Sequence, residues 1–389
     1  MDYTTQPLLF KLRKALRYVG LYGVGRTRVK IASHRHMERR YSVLPPRSAA
    51  PDGARSVAIV GCGKFAYAQI AYYLRKNFGD VIYGVMDVDI ERAASLGQAY
   101  DAVTYTDDAE ALIADPAVDT VFIASNHASH AEYAVAALGH GKTTHVEKPH
   151  VVSDDQLRRL CTAIAAFDGR VALGFNRPLS RIGREIARRL EAEPGPAMLN
   201  WFVAGHEIPA DHWYFREEEG GRILGNLCHW TDFVYRLVPA ERRYPVRINP
   251  TRAEKADADI ALTYTFGDGS IAAITFSAKG HAFEGVKERF AAHRGDTLIA
   301  MDDFRTLEVH VGARRTRIAE RRRDHGHEEM IRRSYLLGRG HGAGASLAYV
   351  WETGELFLRT REALERGEQL TVEAFEPARL GLAGAGRAS

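Results

Sequence analysis

An apolar run, Val57-Ala58-Ile59-Val60, enters the turn Gly61-Cys62-Gly63-Lys64-Phe65-Ala66, and a second run from Val81 to Met86 ends in Asp87. No other feature constrains the fold as strongly. A strand that meets closely spaced glycines and then a helix must turn tightly, and the glycines let a pyrophosphate approach the N–H groups at the helix start. A carboxylate about 20 residues further on accepts the ribose hydroxyls of an adenosine. The pattern reads as a dinucleotide-binding unit in which Gly61, Gly63, Lys64, Phe65 and Ala66 hold the cofactor. Asp87 selects NAD over NADP, because a 2′-phosphate would meet its negative charge. Glycine pairs also mark ordinary turns; the flanking buried-type strands and the position of Asp87 give this one its weight.

At 389 residues the chain exceeds one usual domain, so two domains with appendages are expected. A hydrophobic content of 46% with mixed charge fits a soluble protein expected in the cytoplasm, and neither an 18-residue apolar run nor a secretory h-region is found. Cys62, Cys161 and Cys228 lie far apart without metal-ligand spacing, so no metal is expected and a reducing compartment is. The net charge of +4 hides an asymmetry: residues 1–50 carry eleven Lys/Arg against two acids, for +9, and the remainder sums to −5.

The predicted organisation is a basic arm and linker over 1–54, a Rossmann dinucleotide domain over 55–176, an α+β substrate and oligomerisation domain over 177–375, and a tail over 376–389. In the arm, Leu8, Leu9, Leu12, Leu16 and Val19 share one helix face, with Lys11, Lys14 and Arg17 mostly opposite. That stripe suits packing on its own domain or on a neighbouring subunit, and the basic arm suits contact with an anionic surface, either a membrane or a polyanionic partner; mitochondrial targeting is a further reading although the arm is not Ser-rich. Pro45 to Gly53 reads as linker.

From Arg55 onward, strands and helices alternate as a parallel sheet demands. Strands are expected at Thr120 to Ala124, Thr144 to Val146 and Val171 to Gly174, with capping boxes at Asp107-Asp108-Ala109-Glu110 and Ser153-Asp154-Asp155-Gln156. Beyond Arg177 a helix from Arg181 to Leu190 gives way to strands at Met198 to Val203, Ile260 to Phe266, Ser270 to Phe276, Thr297 to Met301 and Leu307 to Val311. Gly267-Asp268-Gly269 is a hairpin turn, and a helix from Ser346 to about Arg366 is expected to cross a mostly antiparallel open sheet.

Ligands of doubly wound sheets bind beyond the carboxyl ends of the strands. One such end carries Ser125, Asn126, His127 and His130, where the nicotinamide half of the cofactor is expected; each His has a structural reading of equal standing. Another carries Glu147-Lys148-Pro149, which projects an ammonium into the cleft, where it favours the alkoxide formed as hydride leaves; a surface lysine is the alternative. In the second domain Gly220-Gly221-Arg222-Ile223-Leu224-Gly225-Asn226-Leu227-Cys228-His229 opens on glycines and becomes helical, with His229 on the face of Gly225, Asn226 and Asp232. Neutral imidazole is the usual acceptor of an alcohol proton, although a helical His more often serves packing.

The GCGKFA turn with Asp87, the segment VFIASNHASHAEYAVAALGHGK leading into EKP, and GGRILGNLCHWTD together resemble the glucose-fructose oxidoreductase and inositol dehydrogenase family, Gfo/Idh/MocA, over roughly 55–375. GFNRPLS at 174–180, KERF at 287–290 and MDDFRTLEV resemble a branch associated with surface polysaccharides and nucleotide sugars. The resemblance implies that Lys148 is the lysine of the EKP motif and His229 the proton-transferring histidine. It departs at Gly225, where the broad family has Asp, and at Asn226, where the branch often has Glu.

The expected function is NAD-dependent oxidoreduction of a sugar, cyclitol or nucleotide-sugar substrate by a homo-oligomer, a dimer or tetramer. Asn176, Arg177, His212, Trp213, Arg222, Asn226 and His229 are the candidate substrate contacts; Arg177 and Arg222 suggest an anionic group, with a domain-interface ion pair as the alternative for each. The rivals are an enzyme that retains its NAD through an epimerisation or elimination cycle, and a non-catalytic NAD-binding regulator or scaffold. Nucleic acid is not an expected partner, since no recognised binding motif accompanies the basic arm.

Overall fold

The computed structural model describes residues 6–47, 55–251, 259–281 and 283–381; Ser48 to Gly53 of the expected linker and the tail beyond 381 lie outside the described residues. The arm forms α1 (Leu8–Tyr22) and α2 (Val24–Glu38). There follow β1 (Val57–Val60), α3 (Tyr72–Phe78), β2 (Ile82–Met86), α4 (Ile90–Ala99), β3 (Thr104–Thr106), α5 (Ala109–Ala114), β4 (Thr120–Ile123), α6 (His130–Gly139), β5 (Thr143–Val146), α7 (Asp154–Ala166) and β6 (Val171–Leu173). These strands make one parallel sheet in the order β3-β2-β1-β4-β5-β6. That order is the Rossmann arrangement, and its reversal between β1 and β4 opens a crevice at the strand ends.

Local signals start the helices much as expected. Ser153 accepts from Gln156 N at 3.2 Å, and the Gln156 side chain reaches back to Val152 N at 2.9 Å. Before α5 the cap is Asp108, which accepts from Ala111 N at 3.0 Å, and Glu110 turns away to His140 at 2.7 Å. The reciprocal box expected from Asp107 and Glu110 is thus replaced by a one-sided cap one residue later.

The second half contains α8 (Arg181–Glu191), β7 (Met198–Ala204), α9 (Cys228–Leu237), β8 (Val246–Thr251), β9 (Ile260–Thr265), β10 (Ile271–Ser277), β11 (Lys287–Arg294), β12 (Thr297–Asp302), β13 (Thr306–Val311), β14 (Arg314–Ala319), α10 (His327–Gly338), α11 (Leu347–Arg366) and β15 (Leu370–Val372). Its sheet runs β14-β13-β12-β11-β7-β10-β9-β8-β15, antiparallel except for the pair of β7 with β10. Period-2 alternation sorts the faces: Leu199, Trp201 and Val203 point inward with Ile274, Phe276 and Phe290 to pack on Ile186, Leu190 and Phe233 of the covering helices. Met198, Phe202, Ile271 and Leu298 point outward and are exposed.

Two late helices return to the first sheet. Met330 and Ile331 of α10 join Val57 and Ile59 on one face, while Val350, Trp351 and Phe357 of α11 join Val121, Leu157 and Leu160 on the other. The helix expected to cross the second sheet does meet β8 and β15, and it also packs on α7.

The arm lies on both halves, but not through the leucine stripe expected to pack. Leu8, Leu9, Leu12 and Leu16 are 72%, 60%, 54% and 71% exposed, so the expected packing of this stripe on its own domain does not occur. Contact is made by polar and aromatic groups instead. Arg17 pairs with Glu284 at 2.9 Å, Phe10 meets Phe283 edge-on, and Arg323 donates its N–H to Leu21 O at 2.8 Å. No helix among the described residues is long and apolar enough to cross a membrane.

One carboxylate ties the halves together. Glu288 of β11 is fully buried and accepts from Arg177 Nε at 2.5 Å and from Trp230 Nε1 at 2.6 Å, with His325 Nε2 3.1 Å away. Arg177 follows β6, so this is the interface ion pair that was its alternative reading, and its guanidinium is committed to Glu288. Burial opposes ionisation of Glu288, but Arg177 and His325 outweigh it and hold the carboxyl far below its ordinary value. Removing the charge in Glu288→Gln leaves Arg177 buried and unpaired and is expected to cost about 3–5 kcal/mol in urea unfolding at pH 7. Because the folded-state value lies below the unfolded one, the stabilisation is complete above about pH 5 and fades on acidification. The variant should therefore lose stability less steeply than wild type as the pH falls.

Candidate active site

The crevice begins where β1 and β4 end. Gly61 has φ +91°, and a Cβ there would stand 2.5 Å from Ser125 N and 2.6 Å from the Ala124 carbonyl, so the strand ends approach too closely for any side chain. At Gly63 a Cβ would meet nothing within 4 Å. That open space, above the N–H groups that start the next helix, is the cradle a pyrophosphate would fill. Ala66 is buried at the start of a π-helical turn, Ala66–Ala71, that leads into α3; Lys64 is exposed, and the Phe65 ring lies 5.8 Å from His327.

Asp87 is 8% exposed and accepts from Cys62 N at 2.8 Å and Asp89 N at 2.9 Å. A carboxylate offers about four lone pairs, so both oxygens retain capacity for ribose hydroxyls. Beside it Val88 is 80% exposed, an apolar surface next to the adenosine position. Open cradle, close strand ends and acidic terminus fit NAD.

The loop after β4 is braced by a residue that sequence reading missed. Glu219, 2% exposed, accepts from Asn126 Nδ2 at 2.7 Å and Ala128 N at 3.2 Å, and its own carbonyl meets His127 Nδ1 at 2.8 Å. His130 places Nδ1 2.7 Å from Pro149 O and Nε2 3.2 Å from Ser125 O. Burial lowers both histidines, which keeps them neutral. Both therefore act as struts between loops, the structural alternative for each. Ser125 and Ser129 share a hydroxyl hydrogen bond at 2.7 Å, and Glu147, buried, holds His145 at 3.2 Å.

Lys148 crosses to the second half. Its Nζ donates to Gly225 O at 2.6 Å, and Tyr214 Oη donates to the same oxygen at 2.7 Å. Burial works to lower the lysine, but Tyr214, Cys228 and Glu147 together leave it raised, so the ammonium persists. A Cβ at Gly225 would lie 2.4 Å from Tyr214 Oη and 2.5 Å from His127 Cε1. The space that a side chain at this position would need is thus occupied by a phenol and an imidazole. Tyr214 was not picked out in the sequence, because its only local signal is one aromatic beside Trp213.

Residues 223–227 form a π-helical turn that leads directly into α9. The wider turn shifts Gly225 and Asn226 out of i,i+3/4 register with His229; Asp232, within α9, does not join the site but is buried against Arg236 at 3.0 Å and the Tyr349 hydroxyl. His229 is held neutral by burial and by the charges of Arg177 and Lys148. Among the described residues nothing hydrogen-bonds its Nδ1 or the buried Asn226 Oδ1. Buried polar atoms of this kind call for a ligand or water.

Of the other candidates, Asn176 donates to His325 O at 2.7 Å, and Trp213 stands edge-on to His127 at 5.0 Å. His212 accepts from Tyr214 N at 3.3 Å, and Arg222 is buried over Phe215 and Phe276. A surface cavity of about 620 Å³ between Arg184, Tyr235, Arg236 and Tyr349 shares none of these residues.

Fold and site together define a two-part protein with a dinucleotide crevice and, beside it, a lysine that reaches the backbone of the segment bearing His229. Residues 55–175 match the family described as "Oxidoreductase family, NAD-binding Rossmann fold". The match covers the nucleotide-binding part of the chain and identifies it as similar to that family's NAD-binding domain. An inositol 2-dehydrogenase of Burkholderia multivorans is 29% identical over 217 residues, which cover 54% of this chain and 63% of that protein. One from Pseudomonas savastanoi pv. phaseolicola is 34% identical over 128 residues, 32% of this chain and 38% of that protein. The matches to these two relatives therefore span less than two thirds of their lengths. Among solved structures, levoglucosan dehydrogenase in complex with NADH has TM-score 0.70 and 17% identity, covering 82% of this chain and 100% of that one. This likeness is one of fold.

Gly225→Ala is expected to overpack the site, lowering stability by about 1–3 kcal/mol and displacing Lys148. In a Tyr214→Ala background the same change should cost less. Thermal unfolding of the four proteins checks this; strictly additive losses would show that Tyr214 does not fill the space.

Proposed function

We propose that the protein is an NAD-dependent dehydrogenase or reductase acting on a hydroxyl or ketone of a sugar, cyclitol or nucleotide sugar, with a nucleotide part over 55–176 and a substrate part over 177–375. The reading rests on one observation above others: the Lys148 ammonium reaches the backbone of the segment that carries Asn226 and His229. NAD, when bound, accepts or returns the hydride. In oxidation neutral His229 takes the hydroxyl proton, and Lys148 turns its remaining N–H groups on the developing alkoxide. Tyr214, sharing the Gly225 carbonyl, fixes the direction of that ammonium. Names among the relatives, inositol 2-dehydrogenase and levoglucosan dehydrogenase, support a polyol or sugar substrate. A biosynthetic role on nucleotide sugars rests on the branch motifs alone, and a cytoplasmic setting on composition.

The outward face of the second sheet, with Met198, Phe202, Ile271 and Leu298 exposed, supports pairing of two copies. The leucine stripe of α1, beside Lys11 and Arg13, supports a peripheral contact with an anionic membrane.

Native mass spectrometry of the purified protein is expected to give a homodimer or tetramer that carries or takes up NAD; a monomer that binds no NAD would defeat both readings. Lys148→Met should lower turnover at least about 100-fold while leaving NAD affinity within a factor of two or so. Unchanged turnover would remove Lys148 from the mechanism.

A further inference from the structure

Helix α2 lies across the glycine turn. At one end His36 Nε2 meets Cys62 O at 2.6 Å, its Nδ1 meets Ser95 Oγ at 2.9 Å, and its ring stacks on Tyr67 at 4.6 Å. At the other end Arg26 donates to Ala68 O and rests on the rings of Tyr72 and Tyr73 at 4.8 and 4.9 Å. Lys30 stands between these anchors, one helical turn after Arg26 and six residues before His36, so about 6 and 9 Å from them along the axis. It is therefore carried over the segment that bears Lys64.

Lys64, Arg26 and Lys14 are the charges that act on Lys30, and with burial they lower its pKa. Among the described residues no carboxylate pairs with Lys30 or with Lys64. The same field reaches the second half: burial together with Lys30, Lys14 and Arg222 holds His206, just beyond β7, down to about 4.

The arm holds this charge in place rather than trailing it in solvent. Beyond α2, Tyr41 N donates to Glu91 at 3.1 Å and Tyr105 Oη donates to Pro45 O at 2.5 Å; α1 is bound to Glu284 and Arg323 of the second half. The arm is thus a strap over the crevice, anchored on both sides. Lys30 and Lys64, neither paired with a carboxylate among the described residues, stand beside an open backbone cradle, an arrangement suited to an anion.

We propose that the N-terminal arm supplies Lys30, with Lys64, as a binding site for a phosphate-type anion at the mouth of the crevice. The anion is either the cofactor's pyrophosphate or a phosphate-bearing group of the substrate. The first source rests on the dinucleotide reading above.

The test is calorimetric titration of the full chain with NADH, and with inorganic pyrophosphate before and after saturation with NADH. Wild type is compared with Lys30→Gln and Lys30→Arg, with thermal unfolding as a control of folding. Lys30→Gln is expected to bind pyrophosphate at least tenfold more weakly, and Lys30→Arg to retain most of the affinity. If NADH also weakens about tenfold in Lys30→Gln and displaces pyrophosphate from wild type, the cofactor is the source. If pyrophosphate still binds beside NADH, whose affinity is unchanged, the substrate is the source. Lys30-dependent pyrophosphate binding in a protein that does not bind NADH would support the anion site while removing the dinucleotide reading. Equal pyrophosphate affinity in wild type and Lys30→Gln would overturn the proposal.

Discussion

The buried carboxylate of Glu288 is the interaction on which the arrangement of the two halves depends. It sits on a central strand of the second sheet, yet its partners come from the loop after β6, from α9 and from the segment before α10. An ionised group so deeply buried persists only where cations and N–H donors surround it. Satisfying Glu288 therefore draws those three segments to one point. The same contacts orient α9, which carries His229.

Around that point the site is built from backbone clearances as much as from side chains. Gly61 lets two strand ends touch, Gly63 leaves a cradle open, and Gly225 yields its volume to Tyr214 and His127. The last of these changes how the departure from the family pattern is understood. The space a carboxylate side chain would need here is filled, and a phenol hydroxyl shares the carbonyl that Lys148 grips. The arm adds a further layer, because its helices reach both halves while Leu8, Leu9, Leu12 and Leu16 stay exposed.

Much of this was legible in the chain. Glycine spacing and Asp87 announce the Rossmann unit, and alternation announces β7, β9, β10, β12 and β13. The strands that escaped notice have physical reasons for doing so. β3 is three residues long, β8 contains Pro250, and β14 is a charged edge strand with every residue at least partly exposed. β11 hides Glu288 and Arg294 on its inward face, so its alternation of buried positions does not look apolar. Glu219 and Tyr214 escaped as well, since each acts through contacts with residues distant in the sequence.

The sequence by itself determined the elements whose causes are local: strand runs, glycine turns, helix caps and the lysine at the end of β5. These follow from φ, ψ and side-chain periodicity within a few residues. Tertiary structure alone decided which polar groups are spent and which remain for chemistry. Arg177, Asn176, His127, His130 and Asp232 are alike in sequence as site candidates, yet each is paired inside the fold. His229 Nδ1 and Asn226 Oδ1 are buried without such a partner among the described residues. Whether a polar atom is satisfied depends on groups brought together from across the chain, and no local pattern encodes that.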